Sequence, residues 1–188
     1  MNRADRFEEA SRFEEKEQYL SAADSYFRLA CDTLSEEGIT DNTSVNVAST
    51  HLLQAQSCAA RGNDAAAARL LGRLARTLFE FIATKTDDEC LGGLCHEWTG
   101  DSYLIEQSSK SLEAYGRAGD VFDRVDDAKK FSWGMEQEFD YACWAIRDYL
   151  DQQGFEAALA DVCAADFAVR IGTKRELAAE HVESEGPE

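Results

Sequence analysis

The sequence predicts an all-α protein built of about four antiparallel helix hairpins, stacked into a right-handed α–α superhelix. Three observations lead there. Apolar and small residues recur three and four apart over most of the 188-residue chain, which is the spacing of one helix face. The single proline, Pro187, leaves every interior segment free to be helical, while β-branched residues are sparse and no Asn-Gly or Asp-Gly hairpin signal occurs. Finally, one stretch, Gln18 to Ala30 (QYLSAADSYFRLA), returns in weaker form three times.

With Ala22 as the anchor of that stretch, the matching small residues are Ala67, Ser111 and Ala158, at intervals of 45, 44 and 47 residues. Four positions on stand Tyr26, Leu71, Tyr115 and Val162, and seven on stand Leu29, Leu74, Ala118 and Ala165. A small residue lets a neighbouring helix approach, and the two later positions fill the space beside it. Such a period fits one helix pair plus a loop, a unit that cannot bury its apolar face alone. Unrelated amphipathic helices in a bundle are the alternative.

In order, the first pair is expected over about Arg3 to Lys16 and Gln18 to Glu37, with Gly38 as a helix stop. Nothing at Lys16 to Gln18 strongly breaks a helix, so a nearly continuous pair is an open alternative. The second pair is read as Ser44 to Ala60 and Ala65 to Ala83 about a Gly62-Asn63-Asp64 turn, with Val47, His51, Leu52, Ala55 and Cys58 or Ala59 on one stripe. The third has Leu91, Leu94, Cys95, Trp98 and Ile105 on its first helix and Ser108 to Val125 as its second. Its glycines, Gly92, Gly93 and Gly100, are expected to serve close helix packing. The fourth runs from after Asp126-Asp127 to Asp151, turns at Gly154, and continues from Phe155 to Ile171. Gly172 is read as its end, and Thr173-x-x-Glu176 as a capping box that opens a short terminal helix. The chain thus divides into a repeat domain, 1–172, and a C-terminal helix with a fraying acidic tail, 173–188.

Charge limits the habitat and the partners. There are 37 acidic against 19 basic residues, a formal net charge of −18, and only 6 of the basic residues are lysines. The carboxylates are spread along the chain, as suits a salt-adapted (halophilic) protein whose self-repulsion is screened over about 3 Å in molar salt. The balance argues against nucleic acid or anionic membrane as direct partners, which need a basic footprint. Ten charges among the first twenty residues exclude a signal peptide. The longest uncharged run, Asn42 to Ala60, holds ten polar residues and cannot span a bilayer. A cytoplasmic location is expected.

The pattern Tyr19, Ala22, Tyr26, Leu29 resembles the second helix of a tetratricopeptide repeat. The longer period and the doubled Ala22-Ala23 are more similar to the α-SNAP type of helical-hairpin array. The resemblance covers roughly Phe7 to Ile171. The glycine that tetratricopeptide repeats place before the turn is replaced at Glu17 or Gln18 and at Gln107, and survives as Gly62 and Gly154. What the resemblance implies is protein or peptide binding, not catalysis.

Little in the chain suggests chemistry. Six scattered cysteines without a C-x-x-C read as reduced, buried small hydrophobes. Cys90, Cys95 and His96 are the densest set of potential metal ligands, but Cys90 and Cys95, five apart on a helix, differ in direction by about 140°. The histidines available to a nucleophile are His51, His96 and His181, and no hydrolase, phosphate-loop or zinc-protease motif is present. No cofactor, metal or catalytic residue is therefore expected. The leading expectation is a non-catalytic scaffold binding a partner helix or peptide in the concave groove of its first helices. Trp133 and Tyr103 are its anchors, and Trp98 and Trp144 are further candidates with a competing role in the core. The rivals are a small metal- or thiol-dependent enzyme around Cys90, Cys95 and His96, and a self-associating oligomer such as a homodimer.

Overall fold

In a computed structural model, the described residues are 3–39, 42–126, 138–155, 159–163 and 166–183, and the elements found among them are all helices. They are α1 (Arg3–Glu15), α2 (Tyr19–Glu37), α3 (Asn42–Arg61), α4 (Ala65–Lys85), α5 (Glu89–Ile105), α6 (Lys110–Phe122), α7 (Glu138–Gln152), α8 (Leu159–Val162) and α9 (Phe167–Glu183). Consecutive helices pack against each other in hairpins, as the sequence predicts. Arg3 pairs with Glu36 and Glu37, and Arg6 with Asp32, which fixes the start of α1 beside the end of α2.

The hairpin turns are copies of one motif. At each described turn one residue is left-handed: Glu17 (φ 56°), Asn63 (φ 58°), Gln107 (φ 57°) and Gly154 (φ 86°). The next residue donates its N–H to the carbonyl five positions back: Gln18 to Phe13, Asp64 to Ala59, Ser108 to Tyr103 and Phe155 to Leu150. The left-handed residue itself bonds three back, to Glu14, Ala60, Leu104 and Asp151. These are Schellman caps, which satisfy the orphan carbonyls of a helix end. The first pair is therefore sharply broken at Glu17. In the second turn the left-handed residue is Asn63, not Gly62.

By its buried positions, the second unit is shifted by one residue from the sequence alignment. Ala68, Gly72, Ala75 and Phe79 are buried where Ala22, Tyr26, Leu29 and Thr33 are buried in α2. The run Ala65 to Ala68 offers four interchangeable anchors, and the wrong one was favoured by Leu71 and Leu74. Leu74 is in fact 45% exposed.

Helix α3 is buried on almost every side instead of along one stripe. It packs against α2, α4 and α5, and also against α7, so its inner face is covered by the chain's own fourth unit. Its lack of charge between Asn42 and Ala60 is what permits this, since each buried charge would need a partner.

The glycines of α5 act as expected at two positions. A β-carbon at Gly93 would run into the Phe122 ring, and one at Gly100 into the Tyr115 ring. Both pairs are seven apart, so two aromatics of α6 seat on two glycines of α5. Gly92 faces open space.

The C-terminal third departs from expectation. No helix end occurs at Gly172; α9 runs through it, and its start is capped by Asp166, whose Oδ1 accepts from the N–H groups of Ala168 (2.8 Å) and Val169 (3.2 Å). Phe167, Arg170, Ile171, Lys174, Leu177 and Ala178 form a single buried stripe, so the core continues past residue 172. Arg170 and Lys174 look polar in sequence, which hid the periodicity. The expected Phe155 to Ile171 helix is represented by α8 and the start of α9. Ala158, Ala165 and the tail from Ser184 lie outside the described residues.

Replacing Gln107 by glycine is expected to stabilise the protein by about 1 kcal/mol, because a side chain in the left-handed region is strained. Gly154→Ala should cost a similar amount. Urea denaturation in molar potassium chloride measures both, and equal midpoints for all three proteins would contradict the turn assignment.

Candidate functional site

The polar centre of the molecule is enclosed. On α5, Glu97 and Asp101 stand one turn apart, and opposite them on α9 stand Arg170 and Lys174, also one turn apart. All four side chains are at most 2% exposed. Arg170 grips Glu97 with two donors, Nε to Oε1 (2.7 Å) and Nη2 to Oε2 (2.5 Å). Lys174 Nζ bridges Glu97 Oε1 (2.7 Å) and Asp101 Oδ2 (2.9 Å), and the Tyr115 hydroxyl donates to Asp101 Oδ1 (2.8 Å).

Burial pushes the Glu97 carboxyl up, but the Arg170 and Lys174 charges outweigh it and hold Glu97 well below the usual carboxylate range. Asp101 is raised by burial, with Lys174 opposing and the Glu97 charge adding to the rise. Lys174 loses by burial but gains more from Asp101 and Glu97, so its ammonium is held on. Two positive and two negative charges with satisfied donors need no ligand, and the set is closed to solvent. Its chemistry is that of a structural lock.

Tyr103 is half-buried beside a cleft of about 390 Å³ between α4, α5 and α6. The Arg76 guanidinium lies 4.2 Å from its ring centre and the Lys110 ammonium 5.8 Å. Arg76 is committed to Glu106 (2.9 Å) and to the Ser102 hydroxyl (2.8 Å), and Arg117 to Glu113. His96 opens on the cleft, and burial, helped by Arg117, lowers its pKa.

The other sequence candidates separate. Trp98 is 2% exposed and packs on Phe79 with ring centres 5.7 Å apart, so it belongs to the core and offers no docking surface. Trp144 falls on α7, and Trp133 lies outside the described residues. Cys90 and Cys95 are buried in the apolar core, Cys95 beneath the cleft on which His96 opens. No group of three or more potential metal ligands gathers among the described residues. His51 is stacked on Tyr26, ring centres 6.0 Å apart, and bonded to Gln54. Cys31, expected buried, is exposed.

The surface that stands out was missed in sequence. On α4, Leu70 (51% exposed), Leu74 and Phe81 lie four and seven apart, forming one outward apolar stripe. Arg69 and Arg73 flank it, exposed and without an ion-pair partner among the described residues. Arg3, Arg6, Arg61, Arg76 and Arg170, by contrast, are all paired. Helix α4 carries four basic residues against one acidic, Glu80, in a chain of net charge −18. The signal was present in the count of charges per helix, but the one-residue register error had assigned Leu74 to the core.

No family model, curated protein or solved structure matches this chain. No helix among the described residues is long and apolar enough to cross a membrane.

Glu97→Gln is expected to lower stability by about 3–5 kcal/mol, since it leaves buried positive charge in excess. The sign with pH follows from the shifts. Glu97, held low, contributes stability above the unfolded value of about 4.3 that is lost as pH falls through its folded value. Lys174, held high, contributes below about 10.4 and loses that contribution as pH rises through its folded value. Urea titrations between acid and alkaline pH, wild type against Glu97→Gln, check both the loss and the acid limb.

Proposed function

We propose that this protein is a non-catalytic binding scaffold that docks an acidic amphipathic helix of another polypeptide on the outer face of α4. The observation that carries this is the pair Arg69 and Arg73, exposed and without an ion-pair partner among the described residues of an acid-rich chain, beside exposed Leu70, Leu74 and Phe81. A partner helix with apolar residues at matching spacing would cover the stripe, and its carboxylates would meet the two guanidiniums. The concave face of the first helices is less suited to the task, because α7 already lies on α3.

The reading takes up the tetratricopeptide- and SNAP-like resemblance. Helices packed in adjacent pairs and a turn motif that recurs with the period support it. We place the protein in a salt-adapted cytoplasm on the strength of its acidic, lysine-poor composition, in which one of six lysines, Lys174, is buried. There, contact pairing and apolar burial would decide affinity, since long-range attraction is screened.

The direct test is binding of a labelled synthetic helix with leucines at i, i+3, i+4 and i+7 flanked by glutamates, in molar potassium chloride. Leu70→Ser with Leu74→Ser, or Arg69→Glu with Arg73→Glu, should weaken binding at least about tenfold at unchanged helicity. A lysine-flanked peptide should recover binding to the Arg69→Glu, Arg73→Glu protein. Equal binding by all variants would overturn the assignment. A dimer in light scattering that the leucine substitutions dissolve would assign the stripe to a second copy of this chain. Dialysis to low salt is expected to reduce helicity steeply; unchanged circular dichroism would remove the salt-adaptation part of the proposal.

A further inference from the structure

The cleft between α4, α5 and α6 holds a guanidinium that is only half used. Arg76 is 13% exposed and is fixed through one nitrogen, Nη1, which donates to Glu106 Oε1 (2.9 Å) and to Ser102 Oγ (2.8 Å). Its Nε and Nη2 make no hydrogen bond to any described residue. That edge is the one with which Arg170 grips Glu97: two parallel N–H groups that match the two oxygens of one carboxylate. Lys110, at the start of α6, has no ion-pair partner among the described residues. Both cations stand by the Tyr103 ring, 4.2 and 5.8 Å from its centre, and all three residues line the cleft.

We propose that this cleft binds a small organic carboxylate, which takes the free edge of Arg76 with its two oxygens and meets the Lys110 ammonium. The charge count selects that class. Arg76 and Lys110 bring two positive charges and Glu106 one negative, which leaves the charge that a single carboxylate neutralises. Glu80 lines the same cleft one turn further along α4 and opposes a phosphate or any other multiply charged anion. Ser102, Glu106 and the Tyr103 ring already hold Arg76 in place, so binding need not order it.

The rest of the ligand has a place as well. Phe79, Cys95 and Ala114 are buried beneath the cleft and offer it apolar surface. His96 stands seven residues before Tyr103 on α5, about 10 Å along the helix, and sets the length of the site. A volume of about 390 Å³ is that of a small-molecule pocket. The site is also separate from the apolar stripe of α4. Leu74 and Arg76 are two apart, about 200° around the helix, so the two surfaces face different ways.

The experiment titrates the whole isotope-labelled protein in molar potassium chloride with propionate, phenylacetate, neutral phenylacetamide and inorganic phosphate, following the amide resonances. Phenylacetate is expected to give saturable shifts around Arg76, Tyr103 and Lys110, with weaker binding of phosphate and none of the amide. Lys110→Gln, at an exposed position, should raise the dissociation constant about threefold at unchanged helicity. Arg76→Lys, which keeps the charge and loses the fork, should raise it about tenfold. Leu70→Ser with Leu74→Ser should leave it unchanged, so this site and the α4 docking surface stand or fall separately. No saturable shift with either carboxylate, equal shifts with the amide, or unchanged affinity in both cleft variants would overturn the proposal. Tighter binding of phosphate would overturn the ligand class. Shifts at Tyr103 and Lys110 seen only with the glutamate-flanked helix would also overturn it and assign the cleft to the docking surface.

Discussion

The lock of Glu97, Asp101, Arg170 and Lys174 constrains more of this molecule than any other interaction. Four buried charges must balance and must all be present, because removing one leaves another uncompensated at a cost of several kcal/mol. The lock therefore sets the relative position of α5 and α9 to within a hydrogen-bond length. Tyr115 extends it to α6, and its ring occupies the space that a β-carbon at position 100 would fill, so Gly100 lets it approach α5 closely enough for its hydroxyl to reach Asp101. Arg170 also lies over the Phe167 ring, 4.6 Å from its centre, and Phe167 stacks on Phe122 at 4.2 Å. Polar specificity and apolar packing thus meet on the same three helices.

The N-terminal half of the protein is organised differently. Its ion pairs, such as Arg3 with Glu36 and Arg61 with Glu14, are at the edges of the hairpins, and its interior is made of alanine, tyrosine and small hydroxyl residues around α3. A helix that carries no charge before its last residue, Arg61, and is surrounded by four others needs no lock. Its helices approach on small residues, and register comes from the repeated turn.

How far the sequence could be read follows from these two plans. Helices α1 to α6 were legible because turn or capping residues, such as Asp64 and Asp88, bound them, and because apolar and small residues recur at helical spacing, although α3 proved buried on almost every side. The turns themselves were only half legible: a search for glycine finds Gly154, whereas Asn63, a residue type that tolerates the left-handed region, holds it in the second turn, and Glu17 and Gln107 hold it against their local preference. Helix α9 was misread because its buried stripe contains Arg170 and Lys174, and a periodicity argument counts such residues as solvent-facing. The α4 surface was hidden for the opposite reason: Leu74 is apolar and was placed among the core positions, although it is 45% exposed. Both errors are the same assumption, that polarity alone decides the side on which a residue lies.

The contact between α3 and α7 has a consequence for how such a chain could lengthen. In an open array, each unit stacks only on its neighbours, and duplication can add units at either end without disturbing those already present. Here the fourth unit returns to the second, and α9 is keyed into the third by its charges. A unit inserted between the third and fourth would have to lift α7 from α3 and draw α9 out of its lock at once. The copy number is therefore fixed by closure, and new length is admissible only ahead of α1 or after α9.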